Sequence, residues 1–282
     1  MNRVNLHLHT SASDGLYDYK SVIMSAINSG LKIISITDHD NVETLPDVIN
    51  FVNDKNITLI SGVELTANYD IGTCHILGYN FDISSIHNFN QYIKESRINK
   101  AKKIINVISS LGYEICYDDV LHCCSNGVIG KHDIAMFLVS KGYFDCEQEA
   151  INKIFNNELV SGFKTASRTI DEVVDAIKES GGIAVLAHPW TLNLNLEQLR
   201  EFVILHKFDG IEVYNHNIKY EFFLELDKLA DDLELFKTCG TDYHGNNKYN
   251  EFVVSEDVDC SKFVNYILGG YRCELVRCNK KT

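Results

Sequence analysis

Short apolar runs rich in β-branched residues recur along the chain, and most of them close on a histidine or a carboxylate. "VNLHLH" ends in His7 and His9, "KIISITDH" in Asp38 and His39, and "ITLISGVEL" closes on Glu64. "GIAVLAH" ends in His188, "GIEVYN" in Asn215 with His216 next, and "LFKTCGTDYH" in Asp242 and His244. "TCHILGY" instead carries His75 near its start. Amphipathic stretches separate most of these runs. "YDYKSVIMSAINSGL" and "TIDEVVDAIKESGG" space apolar residues by three and four and close on glycine, as helices do. Such alternation predicts parallel sheet built from βα units. The exception is "ITLISGVELTANYDIGTCHILGY", two runs joined by a polar turn at Asn68, Asp70 and Gly72, which predicts an antiparallel pair. Ligand-type residues at the C-terminal ends of successive strands point to an α/β fold of the barrel type. Seven such strands predict a distorted, TIM-like (β/α)7 barrel.

Between about residues 98 and 166 the pattern changes. "RINKAKKIINVISSLGYEI", "KHDIAMFLVSKGYF" and "CEQEAINKIFNNEL" read as helices, and no strand ending in a ligand occurs there. The expected organisation is a barrel over residues 1–97 and 167–282, with 98–166 a small helical insertion capping the active site. A chain of 282 residues has room for that core.

Composition narrows the function. The formal net charge of −13 disfavours long nucleic acid, which needs lysine and arginine contacts to phosphate, and suits a protein that collects divalent cations. No apolar run approaches the roughly 18 residues that span a bilayer, and the start "MNRVNLHLHT" lacks a signal peptide's segments, so a cytoplasmic location is expected. The nine cysteines form no C-x-x-C pair. They are expected to be reduced and mostly buried, with Cys74, Cys116 and Cys239 in or beside apolar runs.

Alternate residues of a strand share a face, so His7 and His9 can chelate one ion, and Asp242 and His244 can do the same past the last strand. Gly15 would let the chain reverse after Asp14. A single histidine in an apolar run is ordinarily a core or surface residue. Many ionisable groups, each at the end of a buried strand, are another matter: burying them costs several kcal/mol each unless cations offset them. Nitrogen and oxygen donors of this kind suit Mn2+, Fe2+ or Zn2+. Asp38 reads as a support for a ligand rather than a ligand. His87, His122 and His206 read as surface histidines. Trp190, after His188 and Pro189, could stack on a base or pack at the rim.

"HLHTSASDG", "ITDHD", "GVEL", "HILGY", "VLAHP" and "GTDYHG" occur in order between residues 7 and 245. Together they closely resemble the signatures of the PHP (polymerase and histidinol phosphatase) superfamily. "HILGY", the insertion and "GTDYHG" most resemble its branch acting on 3′,5′-nucleotide bisphosphates and, in some members, RNA 5′ ends. The resemblance implies two to three divalent metal ions, Mn2+ foremost. It places His7, His9 and Asp242 on the first, Glu64 bridging to a second completed by His75 and His188, and Asp14, His39 and His244 on the third. Glu64, His9, Asp242 and His244 are the expected catalytic group, and metal-activated hydroxide attack on a phosphate monoester of a small nucleotide the expected reaction. Arg97 matches a phosphate-binding position of the family. Lys131 and His132, at the helix start "GVIGKHDIAMF", are further candidates for the substrate's remaining charge. The chain departs from the family in having Asn5 for a common aspartate, Lys131-His132-Asp133 for a common Arg-Pro-His, and the undefined pair Asn215-His216.

The rivals are a histidinol-phosphate phosphatase, which "HILGY" and the insertion fit less well, and a 5′→3′ exonuclease trimming RNA ends. A regulatory metal-binding module is the non-enzymatic alternative, and the completeness of the ligand set argues against it. No membrane or obligate protein partner is implied.

Overall fold

The structure is a computed structural model that describes residues 3–69, 72–124, 129–163, 167–215, 218–245 and 258–269. The elements are β1 (Val4–Leu8), α1 (Tyr19–Asn28), β2 (Ile33–Ile36), α2 (Leu45–Val52), β3 (Thr58–Leu59), β4 (Gly62–Tyr69) and β5 (Gly72–Tyr79). Then come α3 (Ile83–Ser110), α4 (Tyr117–Cys123), α5 (Lys131–Ser140), α6 (Glu147–Phe155) and α7 (Glu158–Ser161). The chain continues with α8 (Ile170–Glu179), β6 (Ile183–Leu186), α9 (Leu196–Leu205), β7 (Gly210–Tyr214), α10 (Tyr220–Asp232), β8 (Phe236–Cys239) and α11 (Ser261–Gly269). None of these helices is long and apolar enough to cross a membrane.

The strands form two ladders, β1-β2-β3 and β4-β5-β6-β7-β8. All pairings are parallel except those of β5, which runs antiparallel to both β4 and β6. The expected antiparallel pair is therefore present, and it explains why His75 lies near the start of its strand: a reversed strand brings its beginning to the end where its neighbours finish.

The expected α/β class holds, while the distorted seven-stranded barrel is matched only in part. Eight strands occur among the described residues, and they are not hydrogen-bonded into one closed sheet. "ITLISGVEL" is not one strand: Ile60 and Ser61 separate β3 in the first ladder from β4 in the second. The ladders meet at two isolated parallel bridges, His39 with Glu64 and Leu8 with Tyr243. At both seams a glycine lets the backbone come closer than any side chain would. A Cβ on Gly62 would lie 2.0 Å from Ser35 Oγ, and one on Gly240 would lie 2.2 Å from His7 Cβ and 2.8 Å from His7 N.

Helix ends follow local chemistry. α8 opens with a capping box between Thr169 and Glu172, and α9 with one between Asn195 and Gln198. α3 begins well before the helical pattern that starts at residue 97. Asp82 accepts from Ser85 N at 2.8 Å, and Ile86, Asn90 and Ile93 then fall on one buried stripe, with polar Asn90 interrupting its apolar signal. α4 has no counterpart among the expected helices.

The chain separates into two compact units, Met1–His87 with Arg168–Thr282, and Asn88–Ser167. The second begins within α3, earlier than residue 98. In the first unit, Leu6, Leu77, Tyr79, Val185 and Phe263 form one core cluster, and Leu8, Ile23, Ile34, Ile36 and Val48 another. The second unit has its own core, with Ile104, Ile108, Val120, Ile134 and Leu138 at its centre. The cysteine expectation holds for Cys74, Cys239 and Cys260, which are buried, but Cys116, Cys123 and Cys146 are exposed. Cys116 serves instead as the cap of α4, its sulfur accepting from Asp119 N at 3.4 Å.

The seams carry a stability prediction. Gly240→Ala forces a methyl against the backbone and Cβ of His7 and is expected to destabilise by about 1–3 kcal/mol in denaturant unfolding. Gly162→Ala, in open space with an ordinary backbone angle, should stay within about 0.5 kcal/mol of the parent. Equal effects of the two substitutions would contradict the tight seam.

Candidate metal centre

The two seams bring the strand ends together, and the ionisable side chains meet there. His7 lies on β1 and His9 directly after it, His39 beyond β2, His188 beyond β6, and Asp242 and His244 beyond β8. His75 is near the start of the reversed strand β5. Glu64 sits third in β4, because that strand runs on to Tyr69 in the hairpin rather than stopping at the cluster.

Glu64 is fully buried, and five imidazoles surround its carboxylate. Oε2 lies 3.2 Å from His7 Nε2, 3.1 Å from His9 Nε2 and 3.3 Å from His39 Nδ1. Oε1 lies 3.1 Å from His75 Nδ1 and 2.9 Å from His188 Nε2. The rings also touch one another in a closed circuit. Their centroids are 5.1 Å apart for His7–His9, 4.7 Å for His9–His39, 4.8 Å for His39–His75, 5.2 Å for His75–His188 and 5.7 Å for His188–His7.

Asp242 and Asp14 add two more carboxylates. Asp242 Oδ1 is 3.1 Å from His9 Nε2 and 3.3 Å from His7 Nε2. Asp14 is 3.2 Å from His244 Nε2 and 3.7 Å from both His9 and His39. Three groups of donors lie within 4.8 Å of one another: His7, His9, Glu64 and Asp242; His39, Glu64 and His75; and His9, Asp14, His39 and His244. His9 and His39 are thus shared between groups, a feature absent from the one-ion assignments that the motifs imply. His188 touches Glu64 but stands outside all three groups.

The donor set fits divalent cations. Both ring nitrogens of His9 and Nδ1 of His39 are buried without a hydrogen bond, although each faces a carboxylate. Three other histidines have their outer nitrogen held and their inner one turned to the cluster. His7 Nδ1 is 3.0 Å from Glu212 Oε1, His188 Nδ1 is 3.2 Å from Thr191 Oγ1, and His244 Nδ1 is 2.8 Å from the Asp242 carbonyl. Metal-ligating histidines are oriented in this way.

Charge within the cluster is tightly coupled. Burial would lower the pKa of His9, but Asp242 and Glu64 outweigh it and raise it to about 9. Burial and the neighbouring imidazoles of His9 and His75 push His39 down to about 4 despite Glu64. Asp14 is held down to about 2 by His244, His39 and His9 against the opposing effect of burial. Burial likewise opposes ionisation of Glu64, yet His7 and His39 hold it well below the usual carboxylate range.

Supporting residues pin the loops. Asp38 is buried and accepts from Thr10 N, Thr10 Oγ1 and Ser13 Oγ, each at 2.7 Å, which fixes the turn between His9 and Asp14. Gly15 serves that turn by close approach, since a Cβ there would lie 2.8 Å from the His9 carbonyl. Asn5 accepts from the backbone N–H of His7 and Thr241 and donates to Thr241 Oγ1, tying β1 to the segment that carries Asp242. Arg168 pairs with Asp40, which also accepts from Thr66 N at 3.0 Å and so fastens the residue after His39 to β4.

The sequence reading missed Glu212. It lies fully buried on β7, one oxygen against His7 and the other accepting from the backbone N–H of His188 at 2.7 Å. His188 has φ 24 and Asp242 φ 50, both in the left-handed region, where a non-glycine residue costs about 1–3 kcal/mol. The signal available was a lone carboxylate inside an apolar strand, "GIEVY".

The remaining candidates behave differently. Arg97 lies on α3 in the helical unit. Lys131 Nζ lies 5.1 Å over the Phe155 ring, and His132, largely exposed, pairs with Glu147 at 2.7 Å. The N–H of Gly130 at that helix start is taken by Asp133 at 2.7 Å, so it is not offered to an anion. His206 pairs with Asp171, and Trp190 stands edge-on to His188. Asn215 is buried, and His216 lies outside the described residues.

The chain is similar to known proteins over most of its length. The PHP domain family matches residues 5–186. The Salmonella typhimurium "5′-3′ exoribonuclease Rnm" is 27% identical over 247 residues, covering 85% of this chain and 84% of that protein. The Chromobacterium violaceum "3′,5′-nucleoside bisphosphate phosphatase" is 23% identical over 250 residues, covering 86% of this chain and 88% of that protein. A Bifidobacterium adolescentis crystal structure, described by inference as a metal-dependent phosphoesterase, superposes with a TM-score of 0.72 at 27% identity. It covers 94% of this chain and 95% of its own.

Two predictions follow from the cluster. Because folding raises the His9 pKa from 6.5 to about 9, the stability it confers on chelated protein is complete below pH 6.5 and lost as pH climbs through 9. Denaturant unfolding of chelated protein should show lower stability at pH 9 than at pH 6.5, by up to about 3 kcal/mol. Added Mn2+ should reverse that slope, since ligation needs the nitrogens unprotonated. A flat profile in chelated protein would contradict the coupling. Separately, Glu212→Gln should weaken Mn2+ binding about 10- to 100-fold by calorimetry; unchanged affinity would remove Glu212 from the site.

Proposed function

The chain belongs to the PHP domain family, and on that premise we propose that it is a metal-dependent phosphoesterase that hydrolyses a phosphate monoester of a small nucleotide. The observation that carries the reading is the single buried carboxylate of Glu64 set among five imidazoles. Its two oxygens face different histidines, His7, His9 and His39 on one side and His75 and His188 on the other, as a residue shared by two cations would.

His7, His9, Glu64 and Asp242 would hold one cation, Glu64 with His39, His75 and His188 a second, and His9, Asp14, His39 and His244 a third. Bound divalent cations supply a water of lowered pKa and neutralise charge developing on the phosphoryl oxygens. The chain's own part is placement. Glu212 and Thr191 hold the outer nitrogens of His7 and His188 so that the inner ones face Glu64. Asp38 fixes the turn that presents Asp14, and Asn5 fixes the approach to Asp242. Asp14 is half-exposed at the mouth, where a substrate oxygen can reach the third group.

Two relatives support the nucleotide: the nucleoside bisphosphate phosphatase and the exoribonuclease Rnm both carry nucleotide chemistry in their names. The second reading, removal of nucleotides from an RNA 5′ end, is favoured by the higher identity to Rnm.

A substrate panel tests this. Metal-loaded protein is assayed on AMP, adenosine 3′,5′-bisphosphate, histidinol phosphate and 5′-phosphorylated oligoribonucleotides. Mn2+-stimulated release of inorganic phosphate from a nucleotide is expected, whereas shortening of oligonucleotides with release of nucleoside monophosphates would select the second reading. Glu64→Gln and His9→Ala should each lower turnover at least about 100-fold with the circular dichroism spectrum intact. Protein inert on the whole panel with Mn2+, Fe2+ and Zn2+ would refute the phosphoesterase reading.

A further inference from the structure

A cavity of about 270 Å³ opens beside the cluster, within the strand-bearing unit, with His75 and His188 forming one wall. Small-molecule sites start at about 300 Å³. At about 270 Å³ the cavity lies just under that range, which limits it to one nucleoside-sized group at most and excludes a dinucleotide.

Its described lining is largely uncharged. Apart from the two imidazoles, the described residues that line it carry no lysine, arginine or carboxylate. Tyr69 and the buried Leu192 offer an aromatic ring and an apolar surface. Thr73 and Asn193 offer a hydroxyl and an amide, neither engaged in a hydrogen bond within the described residues. Beyond those two imidazoles, a second phosphate would find no cationic side chain among the described lining residues, while an uncharged, hydroxyl-bearing ring would find aromatic and apolar contact and hydrogen bonds.

The backbone around the cavity supports a functional origin. The segment from His188 to Asn193 is a 3-10 turn that leaves β6, and both its ends have positive φ, 24 at His188 and 55 at Asn193. Backbone held in such regions persists where the surrounding structure over-determines it, and it gathers at ligand sites. Thr191 locks the turn by donating to the His188 carbonyl at 3.0 Å. The same turn thus sets His188 against Glu64 and shapes the cavity wall.

We infer that this cavity receives the uncharged nucleoside part of the substrate, with its ring system against Tyr69 and Leu192 and its hydroxyls on Thr73 and Asn193. The inference rests on the phosphoesterase reading for the position of the phosphate, but binding of the nucleoside itself does not require turnover. Any further phosphate of the substrate lies away from this cavity.

Adenosine, which has no phosphate, is the direct probe. Trp190 is the only tryptophan and stands 6.2 Å edge-on from His188, so its emission reports on this wall. Mn2+-loaded protein should show a saturable change in Trp190 fluorescence with adenosine, half-complete below about 1 mM, and calorimetry should read the same event. Thr73→Arg and Tyr69→Ala should each weaken adenosine binding. Each should also lower the ratio of kcat/KM for AMP to that for glycerol 3-phosphate about 10-fold or more. Thr73 is exposed, so its variant tests the cavity without disturbing the core. Adenosine binding lost in both variants, in a protein that releases phosphate from no ester, would support the cavity and overturn the phosphoesterase reading. Hydrolysis of both esters with no adenosine binding and an unmoved ratio would overturn the cavity assignment alone.

Discussion

Everything in the strand-bearing unit is arranged around one buried carboxylate. Glu64 has no contact with solvent, and a lone ionised group in that position is prohibitively costly. Five imidazoles within 3.3 Å make it tolerable, but they create a second problem. Their rings touch, so they cannot all be protonated at once. His39 is driven to about 4 while His9 is raised to about 9, which is how a ring of bases divides too few protons. Cations taken up by the unprotonated nitrogens resolve both problems together. The cluster is thus organised for metal before any substrate is considered.

The backbone irregularities follow from that requirement. Pairing within the second ladder brings Glu64 to His75 and His188, but it does not bring it to His7, His9 and His39, which belong to the first ladder. The two ladders instead stop and touch at single bridges, and Gly62 and Gly240 remove the side chains that would hold the seams open. The hydrogen bonds that remain lie at the ligands themselves: His9 N donates to the Tyr243 carbonyl at 2.9 Å and Asp40 N to the Glu64 carbonyl at 2.8 Å. Positive φ at His188 and Asp242 marks where the chain bends to aim a side chain inward. Stability is spent at these points on geometry, as expected where a site must be preorganised.

Much of this was legible in the sequence because it is carried by local pattern. The apolar runs, the i and i+2 spacing of His7 with His9 and of Asp242 with His244, and the reversed position of His75 all follow from strand periodicity. The rest depends on what the chain does between neighbours. Ser61 and Gly62 look like interior residues of one run, and only the approach of Ser35 shows why the strand breaks there. Glu212 was hidden because a carboxylate in an apolar strand is informative only once its partners, His7 and the backbone of His188, are known. The early turns of α3 were hidden because Asn90 occupies a buried position. The sharing of His9 and His39 between donor groups is three-dimensional, and no spacing encodes it.

The charge balance of the cluster leads to the last point. A chain of net charge −13 should repel a phosphate dianion, and the centre itself gathers the carboxylates of Glu64, Asp242, Asp14 and Glu212. Protonated imidazoles offset part of that charge, but they are buried and held by the same carboxylates. Bound cations change the sign, because an ion is the largest local charge in such a site. The carboxylates that by themselves would repel phosphate are the groups that would hold the ions which attract it. Affinity for a phosphorylated ligand is therefore conditional on metal occupancy, and it is confined to the one place on an acidic surface where carboxylates are paid back by cations rather than by water.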